Sequence, residues 1–123
     1  MAKVLVIDDD AAVRRMARRI LAADGHEVIE AADGRDGILR FAAERPEIVV
    51  TDIIMPGKEG IETIKELRLA APALWIVAMS GGGVTQTLKY LDFAKTFGAD
   101  RTLAKPFRAD ELLAAVAAGG LSQ

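Results

Sequence analysis

Five short apolar or β-branched runs, separated by longer segments of helical spacing, constrain this chain more than any other feature. Lys3 to Asp8, Glu27 to Ala31, Ile48 to Asp52, Leu74 to Met79 and Arg101 to Ala104 are the strand candidates. Three of these runs are almost wholly apolar. A half-exposed strand would alternate polar with apolar residues, so these read as strands of a parallel sheet covered on both faces.

Between the strands, Ala11 to Asp24 puts Val13, Met16, Ala17, Ile20 and Leu21 on one helical face and Arg14, Arg15, Arg18 and Arg19 largely on the other. Asp10 suits its N-cap, and Gly25 stands where a left-handed residue ends a helix. The spacing predicts further helices from about Arg35 to Arg45, Gly60 to Ala70, Thr85 to Phe97 and Ala109 to Ala118. Pro46 and Pro72 terminate the second and third, and Gly98 ends the fourth. Five strands alternating with five helices through right-handed crossovers make a doubly wound α/β sandwich. With no linker, repeat or low-complexity tract, residues 1–123 read as one domain.

Composition narrows the function classes. A 123-residue chain, 51% hydrophobic and 28% charged, builds one core and is not disordered. Sixteen basic against eighteen acidic residues give a net charge of -2, which argues against a strongly basic nucleic-acid binder. Without Cys and with His26 alone, there is no disulfide, thiolate site or imidazole cluster, so any metal is held by oxygen. The apolar run Leu112 to Leu121 falls well short of the roughly 20 residues of a bilayer span, and the N-terminal apolar stretch is too short for a signal-peptide core. A cytoplasmic, reducing location and no membrane insertion are expected.

In a doubly wound sheet, chemistry sits beyond the carboxyl ends of the strands. There this chain delivers Asp8-Asp9-Asp10, Asp52, Ser80 and Lys105-Pro106. Taken alone, the acidic triplet fits a solvated turn carrying a helix cap as well as it fits a metal site, and Lys105 fits an exposed cation before a turn-forming proline. Asp52 shifts that balance. If the first and third strands are neighbours at roughly 5 Å, three carboxylates meet, and a divalent cation best relieves their repulsion. Oxygen ligands with room for water suit Mg²⁺. Lys105, two strands further on, leans over the strand ends toward Asp52, and its bond to Pro106 is a candidate cis peptide. The glycines after Ser80 are a weak phosphate signal, because neither a P-loop lysine nor G-x-G-x-x-G is present.

Taken together, Val6-Ile7-Asp8-Asp9, Thr51-Asp52-Ile53-Ile54-Met55-Pro56-Gly57, Met79-Ser80-Gly81 and Ala104-Lys105-Pro106-Phe107 resemble the receiver domain of two-component response regulators, in its stand-alone, chemotaxis-regulator-like form. The resemblance spans nearly the whole chain. It implies a flavodoxin-like five-stranded parallel sheet of order 2-1-3-4-5 with five helices in three layers. It also implies a phosphoacceptor role for Asp52, fed from a phosphohistidine on a sensor histidine kinase or histidine phosphotransfer protein. By the same resemblance Asp9, Asp52 and the backbone carbonyl of Ile54 bind Mg²⁺ directly, and Asp8 acts through a water. Lys105 is then the second cation. Ser80 hydrogen-bonds the phosphoryl group and shifts the loop after it, together with the face of the fourth helix, fifth strand and fifth helix. Such a chain catalyses its own phosphorylation and dephosphorylation rather than acting as a conventional enzyme, and is a monomer or a weak phosphorylation-dependent dimer with an unknown downstream protein target.

Several positions depart from the family pattern. Thr102 stands where a switch Tyr or Phe is usual, Ile54 and Gly82 offer no side chain to polarise water, and the segment from Gly81 to Gly98 is about three residues longer than the commonest spacing. Two other readings compete: a phosphorylation-independent binding module, and a haloacid-dehalogenase-like phosphatase with Asp8 as nucleophile and Asp10 as general acid. The four arginines of the first helix are a candidate docking face for the phosphodonor. The pair Gly119-Gly120 fits equally the chain's end or the start of a linker.

Overall fold

In the computed structural model, the alternation along each central strand sorts side chains onto two faces, and both faces are buried. Leu5, Ile7, Val49, Ile76 and Ala78 point into one core with Phe41, Ile64 and Leu67. Val4, Val6, Val50, Val77 and Met79 point into the other with Ala17, Leu21, Leu112 and Val116. This is why the runs read as continuously apolar: with a helix layer on each side, neither half of the pleat meets water. A fully buried Leu, Ile or Val stabilises the fold by about 1.5–3 kcal/mol relative to its exposed state.

The structure describes residues 2–53, 59–81, 92, 94–95 and 97–121. In chain order the elements are β1 (Lys3–Ile7), α1 (Ala11–Ala23), β2 (Glu27–Ala31), α2 (Gly34–Glu44), β3 (Ile48–Asp52), α3 (Glu59–Ala70), β4 (Trp75–Ser80), β5 (Arg101–Ala104) and α4 (Ala109–Leu121). All pairings are parallel, and the sheet order is β2-β1-β3-β4-β5. This is the flavodoxin-like arrangement the resemblance implies. The order reverses between β1 and β3, so the C-terminal ends of these two strands flank the crevice where such sheets bind ligands. The mixed polarity of β2 and β5 follows from their positions at the sheet edges.

Helix ends are set by local chemistry. Asp10 caps α1, its Oδ1 accepting from the amides of Ala12 at 2.9 Å and Val13 at 3.4 Å. Asp33 caps α2 by accepting from the Asp36 amide at 2.7 Å, which starts that helix one residue before the predicted Arg35. Arg45 then caps the helix in a left-handed conformation ahead of Pro46, its amide donating to the Phe41 carbonyl at 2.9 Å. Met16 is 41% exposed, at the rim of the stripe that was expected to bury it.

The C-terminal helix departs most from its predicted bounds, continuing past Ala118 through Gly119 and Gly120 to Leu121. Gly119 is a packing position: a Cβ there would lie 2.5 Å from Trp75 Cγ. The Trp75 indole donates to the Ala115 carbonyl at 2.9 Å, so the missing Cβ at Gly119 lets the helix pack closely against the ring. Four helices have bounds among the described residues. The predicted helix from Thr85 to Phe97 lies largely outside them; of it, Asp92, Ala94, Lys95 and Phe97 are described, as helical, followed by Gly98 at a φ of 128°. Among the described residues no helix is long and apolar enough to cross a membrane.

Candidate functional site

Three carboxylates meet where β1 and β3 end side by side. Ile7 pairs with Thr51, so Asp8 and Asp52 leave neighbouring strands at the same level. Asp8 is fully buried, Asp52 is 4% exposed and Asp9 faces solvent. One oxygen from each lies within 4.8 Å of the others. The Asp8 side chain is fixed at both oxygens: Oδ1 accepts from the Asp10 amide at 2.9 Å, and Oδ2 accepts from Lys105 Nζ at 2.7 Å.

Lys105 reaches the cluster from beyond β5. Its amide donates to the Ser80 carbonyl at 2.8 Å, continuing the β4–β5 ladder one step past Ala104. Its peptide bond to Pro106 is cis. Nζ lies 3.2 Å from Asp52 Oδ2, so the predicted contact with Asp52 exists, but the shorter one is to Asp8. Burial alone would lower the lysine pKa; the hydrogen bond to Asp8 and the charge of Asp52 outweigh it and hold the ammonium above its ordinary value. One ammonium among three carboxylates leaves the cluster net negative. An oxygen-only donor set with one solvent-facing member fits a hard divalent cation such as Mg²⁺, which keeps waters of its own.

Ser80 closes β4 beside Lys105 and is fully buried, with Oγ directed to the Gly81 carbonyl at 3.4 Å. Thr102 is half-buried on β5. Ile54 and Gly82 lie outside the described residues. Asp10 is engaged as the α1 cap, the opposite of the free general acid that the phosphatase reading needs. A groove of about 370 Å³ between α2 and α3 is lined by none of these residues, so the clustered ligating groups stand at the strand ends rather than in that concavity.

Sequence reasoning missed one part of the site. Arg14 and Arg18 do not simply face water: Arg14 Nε lies 3.3 Å from Glu30 Oε1, and Arg18 Nη1 2.8 Å from Glu30 Oε2. The Arg14 fork also donates to the Asp8 carbonyl at 2.7 Å. Hydrogen bonding from Arg18, reinforced by Arg14 against the opposing effect of burial, holds the Glu30 carboxyl below its usual value. No sequence spacing signals this, because the partners are brought together by the packing of α1 against β2. Arg15 and Arg19 remain exposed.

The sequence model described as the response regulator receiver domain matches residues 4–117. Among curated relatives, response regulator MprA of Mycolicibacterium vanbaalenii is 40% identical over 113 residues, covering 91% of this chain and 47% of that protein. MprA of Mycobacterium avium is 38% identical over 113 residues, covering 91% of this chain and 48% of its own length. The chain therefore spans about half the length of the curated relatives it matches. Among solved structures, the receiver domain of NtrX from Brucella abortus superposes with a TM-score of 0.90 at 28% identity, covering 98% of this chain and 99% of that one. A response regulator receiver domain protein from Clostridium thermocellum gives a TM-score of 0.88 at 29% identity, covering 97% and 94%.

Proposed function

Because the chain belongs to the response regulator receiver domain family, we propose that it accepts a phosphoryl group on Asp52 from a phosphohistidine of a sensor histidine kinase or histidine phosphotransfer protein. The observation that carries this reading is the gathering of Asp8, Asp9 and Asp52 oxygens within 4.8 Å, with Lys105 Nζ 3.2 Å from Asp52. A carboxylate attacking a phosphoryl group brings like charges together, so positive charge must stand ready at the attacked oxygens. In the transfer, an Asp52 oxygen forms the new P–O bond as the P–N bond to the imidazole breaks. The imidazole keeps the electron pair of the broken bond and, already protonated at its other ring nitrogen, leaves as neutral histidine, while Asp52 becomes an acyl phosphate.

Asp9, Asp52 and the backbone carbonyl of Ile54 would hold Mg²⁺, with Asp8 contributing through a water; when bound, the ion neutralises charge on the transferred oxygens. Lys105 holds its cation between Asp8 and Asp52 and is available to a phosphoryl oxygen on Asp52. Ser80, buried at the end of the neighbouring strand, would donate to another oxygen, drawing the loop after it inward and altering the face formed by the segment before Gly98, β5 and α4. Residues 1–123 act as a single receiver domain, monomeric or weakly dimeric when phosphorylated, and meet the kinase in the cytoplasm. Neither Ile54 nor Gly82 carries a side chain that can polarise water, so no special help for hydrolysis is expected from them.

Arg15 and Arg19, exposed one helical turn apart on α1, are the candidate contact for the phosphodonor, whereas Arg14 and Arg18 are engaged with Glu30. Borohydride trapping followed by peptide mapping tests the reading. Reduction of the acyl phosphate at Asp52 supports it, whereas reduction at Asp8 supports the phosphatase alternative.

A further inference from the structure

Asp9 supplies one of the clustered oxygens yet is exposed, so packing around its side chain does not explain its placement. Its position follows from the peptide that joins it to Asp8. The carbonyl of Asp8, the Asp9 amide and the two flanking Cα atoms lie in one plane, so whatever holds that carbonyl orients both residues. The carbonyl stands one residue beyond β1, next to a strand that has ended at Ala31, and its donor is Arg14 Nη1 at 2.7 Å. The same guanidinium is steadied through Nε by Glu30, 3.3 Å away, which is itself gripped by Arg18 at 2.8 Å. Glu30 is a β2 residue in register with Val6, so the brace is anchored in the sheet rather than in the loop it supports.

We propose that Arg14 is a positioning residue of the acidic pocket: its guanidinium fixes the Asp8–Asp9 peptide plane and through it the two carboxylates that gather with Asp52. The inference rests on the phosphoacceptor reading. It requires arginine specifically, because a planar fork donates to the Asp8 carbonyl and to Glu30 at once, which an ammonium on a flexible stem does not reproduce. Partners that orient metal-ligating groups without touching the metal typically change affinity by 10–100-fold when lost.

The test is calorimetric titration of Mg²⁺ into the unphosphorylated chain, comparing wild type with Arg14→Lys, Arg14→Gln and, as a control at an exposed arginine of α2, Arg40→Gln, each shown to be folded by its thermal transition. The expected result is Mg²⁺ binding in wild type, about tenfold weaker binding in both Arg14 variants, and binding within about twofold of wild type in Arg40→Gln. Failure of lysine to restore affinity separates positioning from charge. Wild-type affinity in either Arg14 variant overturns the inference and leaves the phosphoacceptor reading standing, whereas no Mg²⁺ binding by wild type overturns both. If the Arg14 variants do not fold, Glu30→Gln keeps the arginine but removes its brace. Mg²⁺ affinity weaker than wild type in Glu30→Gln supports the inference, and unchanged affinity overturns it.

Discussion

Lys105 and Asp8 are 97 residues apart in sequence, yet Nζ and Oδ2 lie 2.7 Å apart. Asp8 is fully buried and the Lys105 side chain is 18% exposed, so this pair closes one side of the carboxylate cluster away from water. Its consequence for stability is direct. Lys105→Met keeps the length of the side chain but removes the charge, leaving the Asp8 carboxylate buried against Asp52. The expected loss is about 3 kcal/mol in Mg²⁺-free buffer, because removing one partner strands a buried charge. Saturating Mg²⁺ should recover part of it. Urea unfolding with and without the ion measures both, and equal stability of the variant and wild type in Mg²⁺-free buffer contradicts the account.

Glu30 carries a pH signature. Its carboxyl is held below the ordinary value of 4.5 in the folded chain, mainly by Arg18 and with help from Arg14. A depressed folded pKa contributes stability that is fully present above the unfolded value and is lost as pH falls through the folded one. The side chain is 22% exposed, so the contribution is about 1 kcal/mol. The stability gap between wild type and Glu30→Gln should be constant above about pH 5 and close below pH 4.5. A gap that persists to low pH would mean the arginines do not act through the charge of Glu30.

Gly60 sits where α3 passes over the residue after Asp52. A Cβ there would fall 2.5 Å from the Ile53 carbonyl oxygen and collide with the Ile53 backbone, which has no rotamer to give way. Gly60→Ala should cost about 1–3 kcal/mol and slow phosphorylation of Asp52 by displacing the adjoining backbone. Stability from thermal unfolding and rate with a small phosphodonor are the two readouts. Wild-type values for both contradict the packing argument.

Reversing two exposed charges of α1 that are not paired with Glu30, Arg15→Glu with Arg19→Glu, should slow phosphoryl transfer from a protein donor by about tenfold through loss of electrostatic complementarity. Reactivity with acetyl phosphate should be unchanged, because neither residue touches the acidic cluster. Equal loss with both donors would show that the variant damages the site instead of the docking face.

The strands, the sheet's interior position and most helix ends were legible in the sequence because each rests on local pattern: apolar runs, Asp10 at the N-cap of α1, Gly25 and Gly98 at positive φ. The cluster of Asp8, Asp9 and Asp52 was legible for a related reason, since strand ends in a doubly wound sheet converge. Pairings that depend on register were not. Arg14 looks like one of four equivalent solvent-facing arginines until β2 brings Glu30 beside it. Lys105 was expected to reach Asp52, but the direction of the chain after Pro106 was not readable, nor that Asp8 would be its shorter contact. Gly119 reads as a helix breaker by propensity, and only the Trp75 ring lying against it explains the helix that runs on.

The central claim is that Asp52 is a metal-dependent phosphoacceptor, and intact mass tests it most directly. Wild type and Asp52→Asn are incubated with acetyl phosphate, with and without Mg²⁺, and measured before the acyl phosphate hydrolyses. The account predicts a gain of one phosphoryl group in wild type that requires Mg²⁺ and is absent in Asp52→Asn. A gain retained in Asp52→Asn, or no gain in wild type under any condition, would contradict it.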